Sequence, residues 1–556
     1  MRSPAFPRPG VLPRLTSPGR QGLVLPLAVA SSLSALWLIL GPRTPDLAAQ
    51  VYRSALFIKD GFMVWDNQWY GGHHVPGYSL LFPPLAALLG VRLVGALAAV
   101  ASAAIFDRLA REHFGRRAWV GTAWFAVAVV TDLLIGRLTF GLGVALGLGA
   151  LLALSHGRLR LAALLSFLCA AASPVAATFL ALAGFTYAVA GRRWRAGAAV
   201  ILPGLALVGV LGVVFPEGGR QPFSHTAFWG TIIFAGLATV LLPRRERTLR
   251  IGAWLYLLAT VVTYQVHTPM GGNISRLAAE FAGPLLVCAT WQRNPTDILG
   301  RAARALGRGA RPIGIGVLAV ALLLLAGYQW WGPVHEVIKA DDASVNASYY
   351  QPLVAFIHRH EQPIGRVEVP FTLSHWDAAL LPGKVPLARG WERQLDTKYD
   401  PLFYHGVLPA GTYHAWLLAN GVRYVALPDV RLDPSSWHEG ALLHRRLPFL
   451  RPVWHSAHWR VWKVTHARPL AWGAGTLTQL GTEDFTLQAR RGGLIRVLVH
   501  FTPYWRIATG AGCVQQGPGG WTEVRAARPG PIHVVAGFSL DRVFSHGQRC
   551  TPGARA

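Results

Sequence analysis

Apolar runs punctuated by Pro, Gly and short Arg-bearing turns repeat from residue 22 to residue 331, and a mixed polar, charged and aromatic sequence then replaces them. About 20 apolar residues suffice to cross a bilayer. The pattern therefore predicts an integral membrane protein with eleven spans, near 23–41, 80–106, 118–135, 138–154, 161–172, 175–190, 197–214, 227–242, 249–267, 277–291 and 313–332. The stretch 161–190 counts as two short helices because Ser173-Pro174 interrupts it. A polar loop, not an A-x-A-like cleavage site, follows the first span, which reads as a retained helix and not a signal peptide.

Beyond residue 332 the periodicity changes twice. Over 333–468, helical patches (PLVAFIHRH, YHAWLLANG) alternate with short strands (RVEVPF, VRYVALPD, WRVWKV), the pattern of a small α/β domain. Over 469–556, alternating runs such as IRVLVHF and IHVVAGF separated by Gly and Pro predict a β-sandwich. The fold class expected is thus an α-helical polytopic membrane protein with a C-terminal extracytoplasmic α/β plus β-sandwich region.

Charge orients the spans. Short cytoplasmic loops carry the excess of Lys and Arg, and Arg2, Arg8, Arg14 and Arg20 in the basic segment 1–22 put the N-terminus inside. The clusters Arg108–Arg117, Arg158–Arg160, Arg192–Arg195, Arg244–Arg250 and Arg293–Arg311 then fall on that same side, and an odd number of spans places 333–556 outside. The net charge of +27 is spread over these loops, where it meets anionic lipid; it forms no stripe with interleaved aromatics, so nucleic acid is excluded as a partner. Cys169 and Cys288 fall in apolar spans as buried thiols, whereas Cys513 and Cys550 lie where disulfides persist and invite a bridge.

Candidate chemistry concentrates in the loop 43–78, which follows the first span and holds Asp46, Asp60, Asp66, His73, His74, Trp65, Trp69 and Tyr78. Further ionisable residues on the same face are Asp132, Arg137, Glu217, Arg220, His225, His267, Arg276 and Glu280, with Asn273 in the turn before Arg276. Such groups at a membrane edge are functional candidates by default. Each also has a plain structural reading. Asp46 suits a first helical turn, Asp66 in W-D-N-Q-W suits a turn, and Arg276–Glu280 suits an i,i+4 pair. Arg137 suits a local pair with Asp132. Adjacent histidines point apart on a strand, which leaves His73 and His74 without a fixed metal-ligand set.

A first span ending in a polar turn, then an acidic residue, an amphipathic stretch and a W-D-x-x-W-x-G-G-type segment resembles the GT-C superfamily of membrane glycosyltransferases. The stretch WDNQWYGGHHVPGYSLLFPP also resembles loops of actinobacterial and YfhO-like membrane proteins. The resemblance covers roughly residues 20–335. It implies a polyprenyl-phosphate-linked sugar donor, a cell-envelope glycan or glycolipid acceptor, and a catalytic carboxylate early in the first loop, where Asp46 stands. Asp66 with Trp65, Trp69, His73, His74 and Tyr78 would then hold sugar, and Arg137, Asn273, Arg276 and Glu280 would surround the donor phosphate. The loop has no D-D or D-x-D pair, so no divalent metal or other cofactor is expected. Trp391, Tyr399, Trp505 and Trp521 offer either glycan contact or ordinary core packing. Two other readings remain: a transporter or lipid-glycan flippase built on the broken pair at Pro174, and a non-catalytic envelope scaffold whose outer domain does the work.

Overall fold

The computed structural model describes residues 21–290, 311–340, 342–545 and 550. The arginines expected at 2–20 and 293–308 lie outside the described residues. Each of the eleven expected apolar stretches is helical. They form α1 (Gln21–Leu40), α3 (Phe82–Leu89), α4 (Val91–Phe114), α5 (Trp119–Ala128), α6 (Val130–Ile135) and α7 (Leu138–Ser155), while the loop 43–78 holds a further, amphipathic helix, α2 (Pro45–Asp60). There follow α8 (Leu159–Ala172), α9 (Pro174–Gly191), α10 (Trp194–Val214), α11 (His225–Leu241), α12 (Arg247–Gln265), α13 (Ser275–Thr290) and α14 (Arg311–Lys339).

Among the described residues, five helical stretches are long and apolar enough to cross a membrane, or six if the pair α1–α2, bent by 78°, is one span. Two of the expected spans are apolar but short: α8 has 14 residues and α11 has 17, and α8 rises only about 21 Å against a hydrocarbon core of ~30 Å. Leu202, Trp229, Val240, Trp254, Leu258 and Leu323 are all more than half exposed on the outside of the bundle, as lipid-facing side chains are. The break at Ser173-Pro174 does separate α8 from α9, and the Ser173 hydroxyl caps α9 by accepting from the Ala176 amide at 3.3 Å. Three of the Arg-bearing turns, those at 108–117, 156–160 and 244–250, meet at one end of the bundle: His113 meets Glu246 at 3.0 Å and His156 meets Glu112 at 3.3 Å.

The C-terminal region docks on the opposite end. Its first part is a mixed four-stranded sheet, β3 (Arg366–Glu368), β4 (Val422–Pro428), β5 (Leu450–His455) and β6 (Trp459–Val464), in the order β3-β4-β6-β5 with β3 and β4 parallel. Helices including α15 (Ala347–Arg359) pack on it. The second part is a sandwich of two antiparallel four-stranded sheets built from β7 (Ala471–Gly473), β8 (Gly475–Leu480), β9 (Asp484–Ala489), β10 (Gly493–His500), β11 (Trp505–Thr509), β12 (Gly512–Gln516), β13 (Trp521–Ala526) and β14 (Gly530–Ala536). Their orders are β12-β13-β10-β7 and β11-β14-β9-β8. Alternation places Ile495, Val497 and Val524 inside. Cys513 and Cys550 form a disulfide, and Cys169 and Cys288 are buried free thiols.

The loop after α2 joins the two halves. β1 (Trp65–Asp66) and β2 (His73–His74) form a two-stranded hairpin that inserts between the C-terminal parts. Trp65 enters the sandwich core, edge-on to Trp505 at 5.8 Å, while Trp69 enters the α/β core, stacked on Tyr52 at 4.5 Å.

Candidate active site

The site forms where the kink after α1 starts α2. Gly41 at φ 56° releases α1, and Pro45 at the first position of α2 supplies a preset φ with no amide hydrogen to satisfy. Asp46 follows in the first turn, where the helix dipole favours a carboxylate. The C-terminal region holds this corner: the Trp376 and Trp391 indoles donate to the carbonyls of Arg43 and Pro45, each at 3.0 Å, and Arg43 donates to the Val345 carbonyl at 2.7 Å.

Positions 46, 50 and 53 share one face of α2. Gln50 donates to the Tyr78 hydroxyl at 2.8 Å, and the Arg53 guanidinium lies 3.8 Å over the Tyr78 ring. Ala49, Tyr52 and Leu56 turn to the α/β core. The turn between α6 and α7 closes against the same corner. Gly136, at φ 93°, lies so near α2 that a Cβ would come 2.9 Å from the Cα of Leu47 and closer still to its nitrogen. That approach brings Arg137 to Asp46, with Nε 3.4 Å from Oδ2 and each side chain about one-third exposed, at 30% and 33%.

Arg276 completes the cluster from α13. It lies in the electrostatic field of Asp46, Asp132, Arg137 and Tyr78, donates to Asn273 Oδ1 at 2.6 Å, and packs over the Phe140 ring at 5.1 Å. Asp46, Tyr78, Arg137, Asn273 and Arg276 are thus brought together. Two expected pairs are replaced. Arg137 reaches Asp46 and not Asp132, because the Gly136 turn directs it across to α2. Arg276 bonds Asn273, leaving both oxygens of Glu280 buried without a hydrogen-bond partner.

The remaining loop residues are not at this cluster. Asp66 is fully buried; it accepts from the Tyr52 hydroxyl at 2.8 Å and the Gln68 amide at 2.9 Å, and burial pushes its carboxyl up to about 7. Trp65 and Trp69 give their faces to protein, at 2% and 0% exposure. His73 stacks on Trp69, and burial holds it down at about 3. His74 places Nδ1 2.9 Å from Glu217 and Nε2 3.0 Å from the Thr502 hydroxyl. These positions are corrected from an open sugar-holding cluster to the cores that seat the C-terminal region. Trp505 is likewise core, while Trp391, Tyr399 and Trp521 are half-buried. Among the described residues no group of three His, Cys, Asp or Glu is placed to hold a metal ion.

Arg53 is the residue that sequence reasoning missed. It is 4% exposed, ion-paired with Glu392, and its Nε and Nη1 have no partner. It lines an otherwise largely apolar slot with Leu56, Phe57, Met63, Leu80 and Pro83. The cue available was a cation inside the amphipathic stretch QVYRSALF, on the face shared with Asp46.

No family model and no curated protein matches the chain. Among solved structures it is similar to the cryo-EM structure of the arabinofuranosyltransferase AftD from Mycobacteria, at 15% identity and a TM-score of 0.47, over 96% of this chain and 58% of that one. It is also similar to the crystal structure of ArnT from Cupriavidus metallidurans in the apo state, at 16% identity and a TM-score of 0.44, over 79% of this chain and 97% of that one. The chain therefore spans little more than half the length of AftD. The chemistry of the site is read from its own side chains.

Proposed function

We propose that this protein is a multi-pass membrane glycosyltransferase of the GT-C kind. It transfers a sugar from a polyprenyl-phosphate donor to a cell-envelope glycan or glycolipid at the outer face of the membrane. The observation that carries the reading is the position of Asp46: a one-third exposed carboxylate at a helix N-terminus, facing Arg137 and in the field of Arg276. The N-terminus and the basic turns lie inside, and 333–556 lies outside. All eleven helical stretches serve the membrane domain 23–332, and the C-terminal parts 333–468 and 469–556 frame the site from outside.

In this reading Asp46 accepts the proton of the acceptor hydroxyl as its oxygen attacks the anomeric carbon. The bond to the lipid phosphate breaks, and the phosphate leaves as an anion. Arg137 orients Asp46 through the contact of its Nε with Oδ2 at 3.4 Å. Arg276, fixed by Asn273, and the free N–H groups of Arg53 meet the phosphate charge. The arginines make a divalent metal unnecessary, so transfer persists in EDTA.

Kinetics in membranes with a panel of polyprenyl-phosphate sugars test the roles separately. Asp46→Asn lowers kcat about 10²–10⁴-fold, the range for loss of a general base. Arg276→Gln raises KM for the lipid donor more than it lowers kcat. A wild-type chain that transfers sugar from no donor in the panel would remove the reading.

A further inference from the structure

A second concave site lies at the edge of the mixed sheet, walled by the segment before β3 and by the linker 465–469 that leads to the sandwich, and none of its lining residues belongs to the cluster around Asp46. It encloses about 570 Å³, within the ~300–1,000 Å³ of ordinary ligand pockets. Arg423, Arg451, Lys463, His466 and Arg468 line it, and no acidic residue does. Three other cations of the C-terminal region do have carboxylate partners: Arg389 with Asp396 at 2.7 Å, Arg393 with Asp433 at 2.9 Å, and Arg496 with Glu523 at 3.1 Å. Among the described residues, the three arginines and the lysine of the pocket have no carboxylate partner.

The register makes the imbalance more pointed. Arg451 on β5 and Lys463 on β6 are directly opposite one another, and like charges in that arrangement destabilise a sheet. Arg423 is held at the mouth of the pocket. Its stem crosses Gly365, where a Cβ would come 2.7 Å from the Arg423 Cβ, and its guanidinium donates to the carbonyls of Glu361, at 3.1 Å, and Pro363. A net-positive concavity of this kind concentrates anions and is relieved by binding one.

We propose that this pocket binds a multiply charged phosphate group, with Arg423, Arg451, Lys463 and Arg468 as its charge partners. The group belongs either to a lipid headgroup or to a soluble phosphorylated molecule, and the site is separate from the donor phosphate subsite at Arg276.

Thermal unfolding of the full-length chain in zwitterionic-lipid nanodiscs, titrated with pyrophosphate against sodium chloride at matched ionic strength, tests this. A saturable rise in Tm is expected with pyrophosphate only, and Lys463→Glu should weaken the apparent affinity at least tenfold. That substitution sets opposite charges across β5 and β6, so the ligand-free Tm should not fall; Arg468→Gln, at an exposed position, gives the same readout independently. Flotation with vesicles containing phosphatidic acid, compared with phosphatidylcholine, separates the sources. Lys463-dependent flotation assigns a lipid headgroup, and a pyrophosphate response without it assigns a soluble phosphate. A Tm response equal to that of chloride, or one unchanged in both variants, would overturn the proposal.

Discussion

Asp46 and Asp66 stand in the same loop and meet opposite environments. Asp46 stays one-third exposed with an arginine beside it, whereas Asp66 is fully buried, with a hydroxyl and an amide as donors. Burial raises the Asp66 carboxyl from 3.8 to about 7. A raised folded value means that the folded state favours the protonated form. The associated stability is complete below pH 3.8 and is lost as pH rises through about 7, by at most roughly 4 kcal/mol. Asp66→Asn should therefore flatten the decline in Tm between pH 4 and pH 7, which a pH series of thermal scans measures. A decline as steep as that of the wild type would place the titrating group elsewhere. Composition marked both aspartates as candidates, but only the burial of one and the exposure of the other separates them. That difference comes from partners more than 300 residues away, such as Ala378 accepting from the Trp69 indole at 3.1 Å.

At the scale of elements, hydropathy located every helix of the bundle, because burial against neighbours or lipid needs only apolar length. The kinks were less legible. The split into α5 and α6 leaves no proline or glycine cue in WVGTAWFAVAVVTDLLI near Val129, and the seating of the α6–α7 turn on α2 depends on Gly136. Gly136→Ala combines a left-handed φ with a Cβ inside contact distance of the Leu47 backbone. The expected outcome is a loss of about 1–3 kcal/mol, the range of strained backbone sites, together with slowed transfer as Arg137 moves from Asp46. Transfer and Tm equal to wild type would mean that the turn does not position the pair. The β-rich end was legible as alternation, since each strand buries one face; the hairpin 65–74 was not, because its two strands are only two residues each.

At the scale of the whole molecule, the two halves are tied by charged and aromatic contacts as well as by the inserted hairpin. Glu217, in the loop after α10, bonds the His74 ring at 2.9 Å and accepts from the Tyr399 hydroxyl at 3.0 Å, with the Lys398 ammonium at 3.7 Å. Burial pushes its carboxyl up, but the His74 hydrogen bond and the His74 and Lys398 charges outweigh burial and hold it at about 2. A depressed folded value gives stability that is present above pH 4.5 and lost as pH falls through about 2. Glu217→Gln should accordingly increase hydrogen exchange in the hairpin and in residues 393–399 at pH 7, with the α-helical bundle unchanged. Unchanged exchange there would show that the hairpin alone holds the halves together. No local pattern in the sequence announces a contact between residues 74, 217 and 399.

In the proposed reaction Asp46, and no other carboxylate of the first loop, takes the acceptor proton. The most direct test of this role is sugar transfer from polyprenyl-phosphate donors in membranes by Asp46→Asn and Asp66→Asn at matched protein levels. Asp46→Asn should lose transfer by at least about 100-fold while Asp66→Asn keeps it at neutral pH. Transfer retained by Asp46→Asn and lost by Asp66→Asn would contradict that role.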